Sequence, residues 1–147
     1  MNRFSKYVVM LFSLTAVYTF GVNKGGQDDK TDVASYKGQK IIIGNESTNG
    51  SLRQETIILH SGQVFSHNKG DKDYKFEKKI TRSEVQRIFG MIGRAAITSF
   101  NHPGEPSSFI EAYSHGKVTN YYMWGERGTE VPGYILEDYT EILKIIR

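Results

Sequence analysis

Apolar residues along this chain change their spacing several times, and each change marks an element. Ile41-Ile42-Ile43 is a β-branched run that predicts a first strand, ended by the turn-rich stretch 44–51. Residues 54–60 and 63–68 predict a hairpin about Ser61-Gly62, which sets Leu59 opposite Val64 and Ile58 opposite Phe65. Residues 70–75 read as a charged loop. Thr81-Arg82-Ser83-Glu84 then spells a Ser/Thr-x-x-Glu capping box. Behind it Val85, Ile88, Phe89 and Ile92 recur at helical spacing, with Gly90 and Gly93 placed to weaken or end the helix. Residues 101–106 hold Pro103 and Pro106 and read as a loop. Residues 107–114 and 117–124 predict a second hairpin about His115-Gly116, pairing Tyr113 with Val118 and Phe109 with Tyr122. After 125–133, the stripe Ile135, Leu136, Tyr139, Ile142, Leu143 and Ile146 predicts a final helix. The order βββ-α-ββ-α implies a two-layer α+β fold, an antiparallel sheet of about five strands with two amphipathic helices on one face.

The pattern ahead of that domain is different. Arg3 and Lys6 precede an uncharged, largely apolar run over residues 7–21, and polarity jumps at Asn23-Lys24. This is the three-part plan of a secretory signal, with Thr19 and Gly21 small enough for a signal peptidase site. The other reading is a retained anchor, although residues 7–22 as a helix would reach only about 24 Å against a hydrocarbon core of about 30 Å. The expected organisation is a signal peptide or membrane anchor over 1–21, a flexible linker over 22–36, and a single domain over 37–147. The linker assignment rests on Gly25-Gly26 and mixed charge with little to bury.

Composition narrows the picture. Hydrophobic residues are 38% and charged residues 24% of 147, within the range of globular chains. The formal charge of +3 falls to +1 without Arg3 and Lys6, so the basic balance gives no argument for a nucleic-acid partner. There is no cysteine, which excludes disulfides, thiolate metal sites and thiol catalysis.

Candidate chemistry is sparse. His60 and His67 share a hairpin, but the predicted register sets them about 13 Å apart along the strand, too far for one ion. His102 and His115 fall in loops, and no His-Glu-x-x-His or Asp-rich calcium loop occurs. Gly-x-Ser-x-Gly and phosphate-cradling glycine loops are missing as well. No catalytic residue, metal site or cofactor is therefore expected. If the domain were an enzyme, His102 and Glu105, which share a loop, would be its acid–base pair. The sequons at Asn45 and Asn49 read as turn chemistry.

Aromatic residues point to a surface instead. Tyr113, Tyr121, Tyr122 and Trp124 crowd one hairpin and must distribute over both faces of the sheet, only one of which two helices can cover. Tyr and Trp on an open face serve as anchors for a partner, and as cross-strand or core residues otherwise. The flanking loops 101–108 and 125–133 would rim such a surface, so His102 and Glu105 join the candidate binding residues.

Three segments together resemble a family. Phe100-Asn101-His102-Pro103-Gly104 leading to Ser107, the strand at Ile110, and the hairpin closing on Trp124-Gly125 resemble small envelope lipoproteins of Bacteroidetes-type bacteria. The likeness covers roughly residues 54–146 and includes Leu59-His60-Ser61-Gly62. It departs at Val22, where the lipoprotein signal requires Cys, and in the domain's Gly-rich opening, which Gly44 to Gly50 only partly echo. The resemblance implies an address in the cell envelope and no established activity. A fainter, fold-level likeness is to small inhibitors of bacterial metalloproteases. The expected function is a non-enzymatic exported binding module, in the periplasm or at the cell surface, that engages an envelope protein. A protease inhibitor is the first alternative and a small hydrolase-like enzyme the second. The membrane would be met only through a retained leader.

Overall fold

The structure is a computed structural model that describes residues 31–125 and 130–147. The leader 1–21, the first part of the linker and loop residues 126–129 lie outside the described residues. Seven strands and two helices follow one another as β1 (Lys40–Glu46), β2 (Arg53–Leu59), β3 (Gln63–Asn68), β4 (Lys75–Lys79), α1 (Arg82–Gly93), β5 (Ser99–His102), β6 (Ser107–Ser114), β7 (Lys117–Gly125) and α2 (Gly133–Ile146). They form one sheet in the order β4-β3-β2-β1-β6-β7-β5. All neighbours are antiparallel except β5 and β7, which run parallel.

The α+β class is as the sequence predicts, but the strand count is seven rather than five and the order is ββββ-α-βββ-α. Both added strands are edges. In β4, Lys-Phe-Glu-Lys-Lys, only Phe76 and Lys78 are partly buried, and its lysines suit an edge that must resist pairing with another chain. β5 has four residues, three of them exposed, and gives too short a pattern to read.

The central strand β1 explains the Ile triplet. Its neighbours β2 and β6 lie on either side and both its faces are covered, so Ile41, Ile42 and Ile43 are all buried. Ile41 and Ile43 join Ile58, Val64, Ile110, Tyr122 and Trp124 on the face where α1 packs Val85, Ile88 and Ile92 and α2 packs Ile135 and Ile142. Ile42 joins Ile57, Leu59, Phe65, Phe109 and Met123 on the opposite face. No helix of the described residues is on that side, which we call the open face.

Local chemistry sets the ends of these elements. Thr81 caps α1 as a complete capping box: its hydroxyl accepts from the Glu84 amide at 3.3 Å, and the Glu84 carboxylate accepts from the Thr81 amide at 2.7 Å. The β6–β7 turn has His115 at φ 51° and Gly116 at φ 75°, the pair of positive values that a two-residue type I′ turn requires. Two register predictions are corrected. Ile58 faces Val64, not Phe65, because the β2–β3 connection is a three-residue loop closed by Gly62 at φ 92°. Tyr113 does face Val118, but a bulge after Ala112 shifts the rest of the hairpin, so Phe109 faces Met123 rather than Tyr122.

Residues 31–36, assigned from sequence to the linker, are packed at their middle. Val33 is 3% exposed and belongs to the open-face cluster.

Candidate functional site

Strand alternation puts a distinct set of residues on the open face. β2 contributes Arg53, Glu55, Ile57 and Leu59; β1 contributes Ile42, Gly44 and Glu46; β6 contributes Phe109, Glu111 and Tyr113; β7 contributes Tyr121 and Met123. The lower half of this surface is apolar. The upper half is an ionic cluster centred on Arg53.

Arg53 reaches three carboxylates. Its Nη1 lies 2.6 Å from Glu46, its Nε 2.5 Å from Glu55 and its Nη2 2.9 Å from Glu111. Glu55 is the cross-strand partner of His67, whose Nδ1 is 3.5 Å from its second oxygen. Glu111, with a residue exposure of 7%, also accepts a hydrogen bond from the Tyr113 hydroxyl at 2.8 Å. His67 stacks on Tyr74 with ring centroids 4.5 Å apart. Three carboxylates thus surround one guanidinium, and the cluster carries an excess of negative charge.

The environment shifts these groups in a consistent way. Burial disfavours the Arg53 charge, and the hydrogen bonds to Glu111 and Glu55 outweigh it, so its pKa lies above the usual value. Burial, reinforced by the hydrogen bond to Glu111, pushes the Tyr113 hydroxyl up to about 12. Burial and the nearby Glu111 and Glu46 charges raise Tyr121 too. All three shifts keep the surface in its neutral-pH protonation state.

The residues singled out from sequence separate. Tyr113 and Tyr121 stand on the open face, half-buried beside the cluster. Tyr122 and Trp124 do not. They are 1% and 6% exposed, face the helices, and belong to the core. The Tyr122 hydroxyl donates to the Ile97 carbonyl at 2.7 Å, and the Trp124 ring meets Tyr139 edge-on at 5.1 Å. As binding anchors these two are corrected to core residues, because β7 sends alternate side chains to opposite faces. His102 is exposed, its ring 4.7 Å from that of Phe100. Glu105 accepts a hydrogen bond from the Thr48 amide at 2.8 Å, and hydrogen bonding by Thr48 lowers its pKa. The two belong to different contacts, and an acid that ties down a neighbouring loop is poorly placed for proton transfer.

The histidines of the first hairpin are divided by the sheet itself. His60 meets Phe89 of α1 at 5.1 Å, on the helix side, while His67 lies on the open face. Among the described residues no group of three His, Asp or Glu side chains is arranged to hold a metal ion. The Arg53 cluster was missed in the sequence. Its signal was there in the alternation Arg53, Glu55, Ile57, Leu59, which puts two charges on the same face as two core side chains.

No family model matches this chain, and no curated protein matches it. The functional reading therefore rests on the geometry above.

Proposed function

We propose that the domain is a non-enzymatic binding module that engages a protein partner through its open face. The observation that carries this reading is the pairing of Tyr113 and Tyr121 with the Arg53–Glu46–Glu55–Glu111 cluster on the side of the sheet that no described helix covers. Half-exposed tyrosines supply contact area at a low cost in side-chain entropy. The excess of carboxylate over guanidinium favours a partner segment that presents Lys or Arg. The N-terminal leader supports a location outside the cytoplasmic membrane, where the partner would be an envelope protein. Glu105 lines a pocket with Arg53 and Glu46 at one end of this face, whereas His102 is exposed beside Phe100.

The test is capture of partners from envelope extract by the tagged protein, beside a Tyr113→Ser/Tyr121→Ser variant whose circular dichroism matches the wild type. The reading expects a stoichiometric partner that is lost in the variant and weakened as salt rises from 50 to 500 mM. Capture that is indifferent to both changes overturns the reading.

A further inference from the structure

Residues 31–36 lie against the open face without being part of the sheet. The strands begin at Lys40, and no ladder pairing joins residues 31–36 to any of them. What seats the segment is Val33, buried in the cluster that holds Ile57, Leu59 and Phe65, themselves 1%, 0% and 2% exposed, with Tyr36 partly buried against the same cluster. The Thr31 hydroxyl adds a hydrogen bond to Gln63 Oε1 at 3.1 Å.

Other hydrogen bonds close the segment on itself. Asp32 accepts from the Ala34 amide at 3.1 Å, from the Ser35 amide at 3.3 Å and from the Ser35 hydroxyl at 2.6 Å, and the Tyr36 amide reaches the Val33 carbonyl at 3.4 Å. This is a self-closed turn that presents Val33, and beside it Tyr36, to the open-face cluster. Residues 37–39 connect it to β1, and Gly38 there lies so close under the Tyr36 ring that a side-chain carbon would collide with it.

The two sides of this contact differ in how firmly they are held. Ile57, Leu59 and Phe65 sit on strands locked into ladders on both sides, so their positions do not depend on Val33. The turn depends on buried Val33, partly buried Tyr36 and the Thr31 hydrogen bond, set against the ordering of six residues. A unit with so few buried contacts opens far below the free energy of global unfolding. We propose that residues 31–36 form a releasable strap, whose undocking uncovers an apolar socket of Ile57, Leu59 and Phe65 on an otherwise intact sheet. The socket adjoins the ionic cluster through Phe65 and its strand neighbour His67. Release would therefore enlarge the open face and join an apolar half to a charged half. This inference concerns the free protein and stands whether or not the partner reading holds.

The experiment uses the full chain and a Val33→Asp variant, with hydrogen exchange, methyl spectra of Ile57 and Leu59, and thermal melting. In the wild type the amides of residues 34–36 should exchange at least tenfold faster than ladder amides of β1 and β2, at a rate insensitive to mild denaturant. In the variant that protection should vanish and the Ile57 and Leu59 methyl signals should shift, with the melting temperature within a few degrees of wild type. Val33→Ile should keep the wild-type spectra. Three results overturn the proposal. Exchange of residues 34–36 only with global unfolding would make the segment fixed core. So would a collapse in melting temperature for Val33→Asp as large as that for Phe109→Ala. Unmoved Ile57 and Leu59 signals would show that the strap does not seat there.

Discussion

The Arg53 guanidinium lies over the ring of Phe109, its carbon 4.1 Å from the ring centroid, although the two residues stand on strands separated by β1. The side chain crosses β1 at Gly44, which faces Glu55 on one side and Phe109 on the other. A side chain at position 44 would occupy the space that the crossing and the ring now fill. The pair also explains how Phe109 is wholly buried on a face without a helix: a charged side chain lies across it, with its polar atoms turned to Glu46, Glu55 and Glu111.

Gly44→Ala tests that geometry. The new carbon would run into the Gln54 carbonyl oxygen and approach the Phe109 ring to 2.9 Å. Backbone of a paired strand cannot move aside, so the strain is large for one methyl group. The expected loss is about 2–3 kcal/mol of stability in urea denaturation. Gly90→Ala, in α1 and with only the Arg94 side-chain end nearby, should instead be neutral or stabilising. Equal effects at the two positions would refute the crowding argument.

Arg53→Met probes the cluster itself. It leaves Glu111 nearly buried with the Tyr113 hydroxyl but without its guanidinium. Losing one partner of a largely desolvated pair is costly, and the partial exposure of Arg53 moderates the cost to about 2 kcal/mol. Replacing Glu111 by Gln in the same chain removes the stranded charge. The double variant should therefore be more stable than Arg53→Met alone, and chemical denaturation of the four proteins of the cycle measures the coupling. Additive losses would mean that Arg53 acts by packing on Phe109 and not by charge.

Tyr113 offers a pH signature of the same cluster. Burial first, and then its bond to Glu111, raise its pKa to about 12 from the ordinary 10.0. The folded state thus holds this proton more tightly than the unfolded chain. The stabilisation is fully present below pH 10 and is lost as pH rises through about 12. In an ultraviolet titration the tyrosinate absorbance of Tyr113→Phe should lack one late-titrating group. The variant should also show a shallower fall in stability above pH 10, and cost about 1 kcal/mol at neutral pH through the lost hydrogen bond. Loss of a group that titrates near pH 10 would contradict the assignment.

Much of the fold was legible because its signals are local. The capping box at Thr81, the Ile triplet of β1 and the positive-φ turn at His115-Gly116 each follow from a few adjacent residues. The parts that were missed depend on partners distant in sequence. β5 is short and polar, and becomes a strand through its parallel pairing with Tyr121–Trp124 of β7. The bulge after Ala112 moves Phe109 from Tyr122 to Met123, and no residue type nearby announces it. The Arg53 cluster joins residues 46, 53, 55 and 111, so its charges meet only once β1 has paired with both β2 and β6. The packing of Val33 is of the same kind, since one valine in a polar stretch has no periodicity.

Tyr121 and Trp124 make the sharpest contrast between a surface role and a core role. Both are aromatic, both lie on β7, and the sequence offered both as anchors. Tyr121 faces the ionic cluster, its hydroxyl 3.3 Å from the Met123 sulfur. Trp124 points the other way, 6% exposed, against Tyr139 of α2. Trp124→Ala should cost about 3–5 kcal/mol, because it opens a cavity between the sheet and α2 that neither can close. Tyr121→Ala, half-exposed already, should cost about 1 kcal/mol and leave the melt cooperative. Partner capture should respond in the opposite order once only folded protein is compared. The tyrosine variant should lose capture while fully folded. A conservative Trp124→Phe variant, which keeps most of the core volume, should retain it. Should Trp124→Phe lose capture and Tyr121→Ala keep it, the binding surface would have to be sought on the helical side of the sheet.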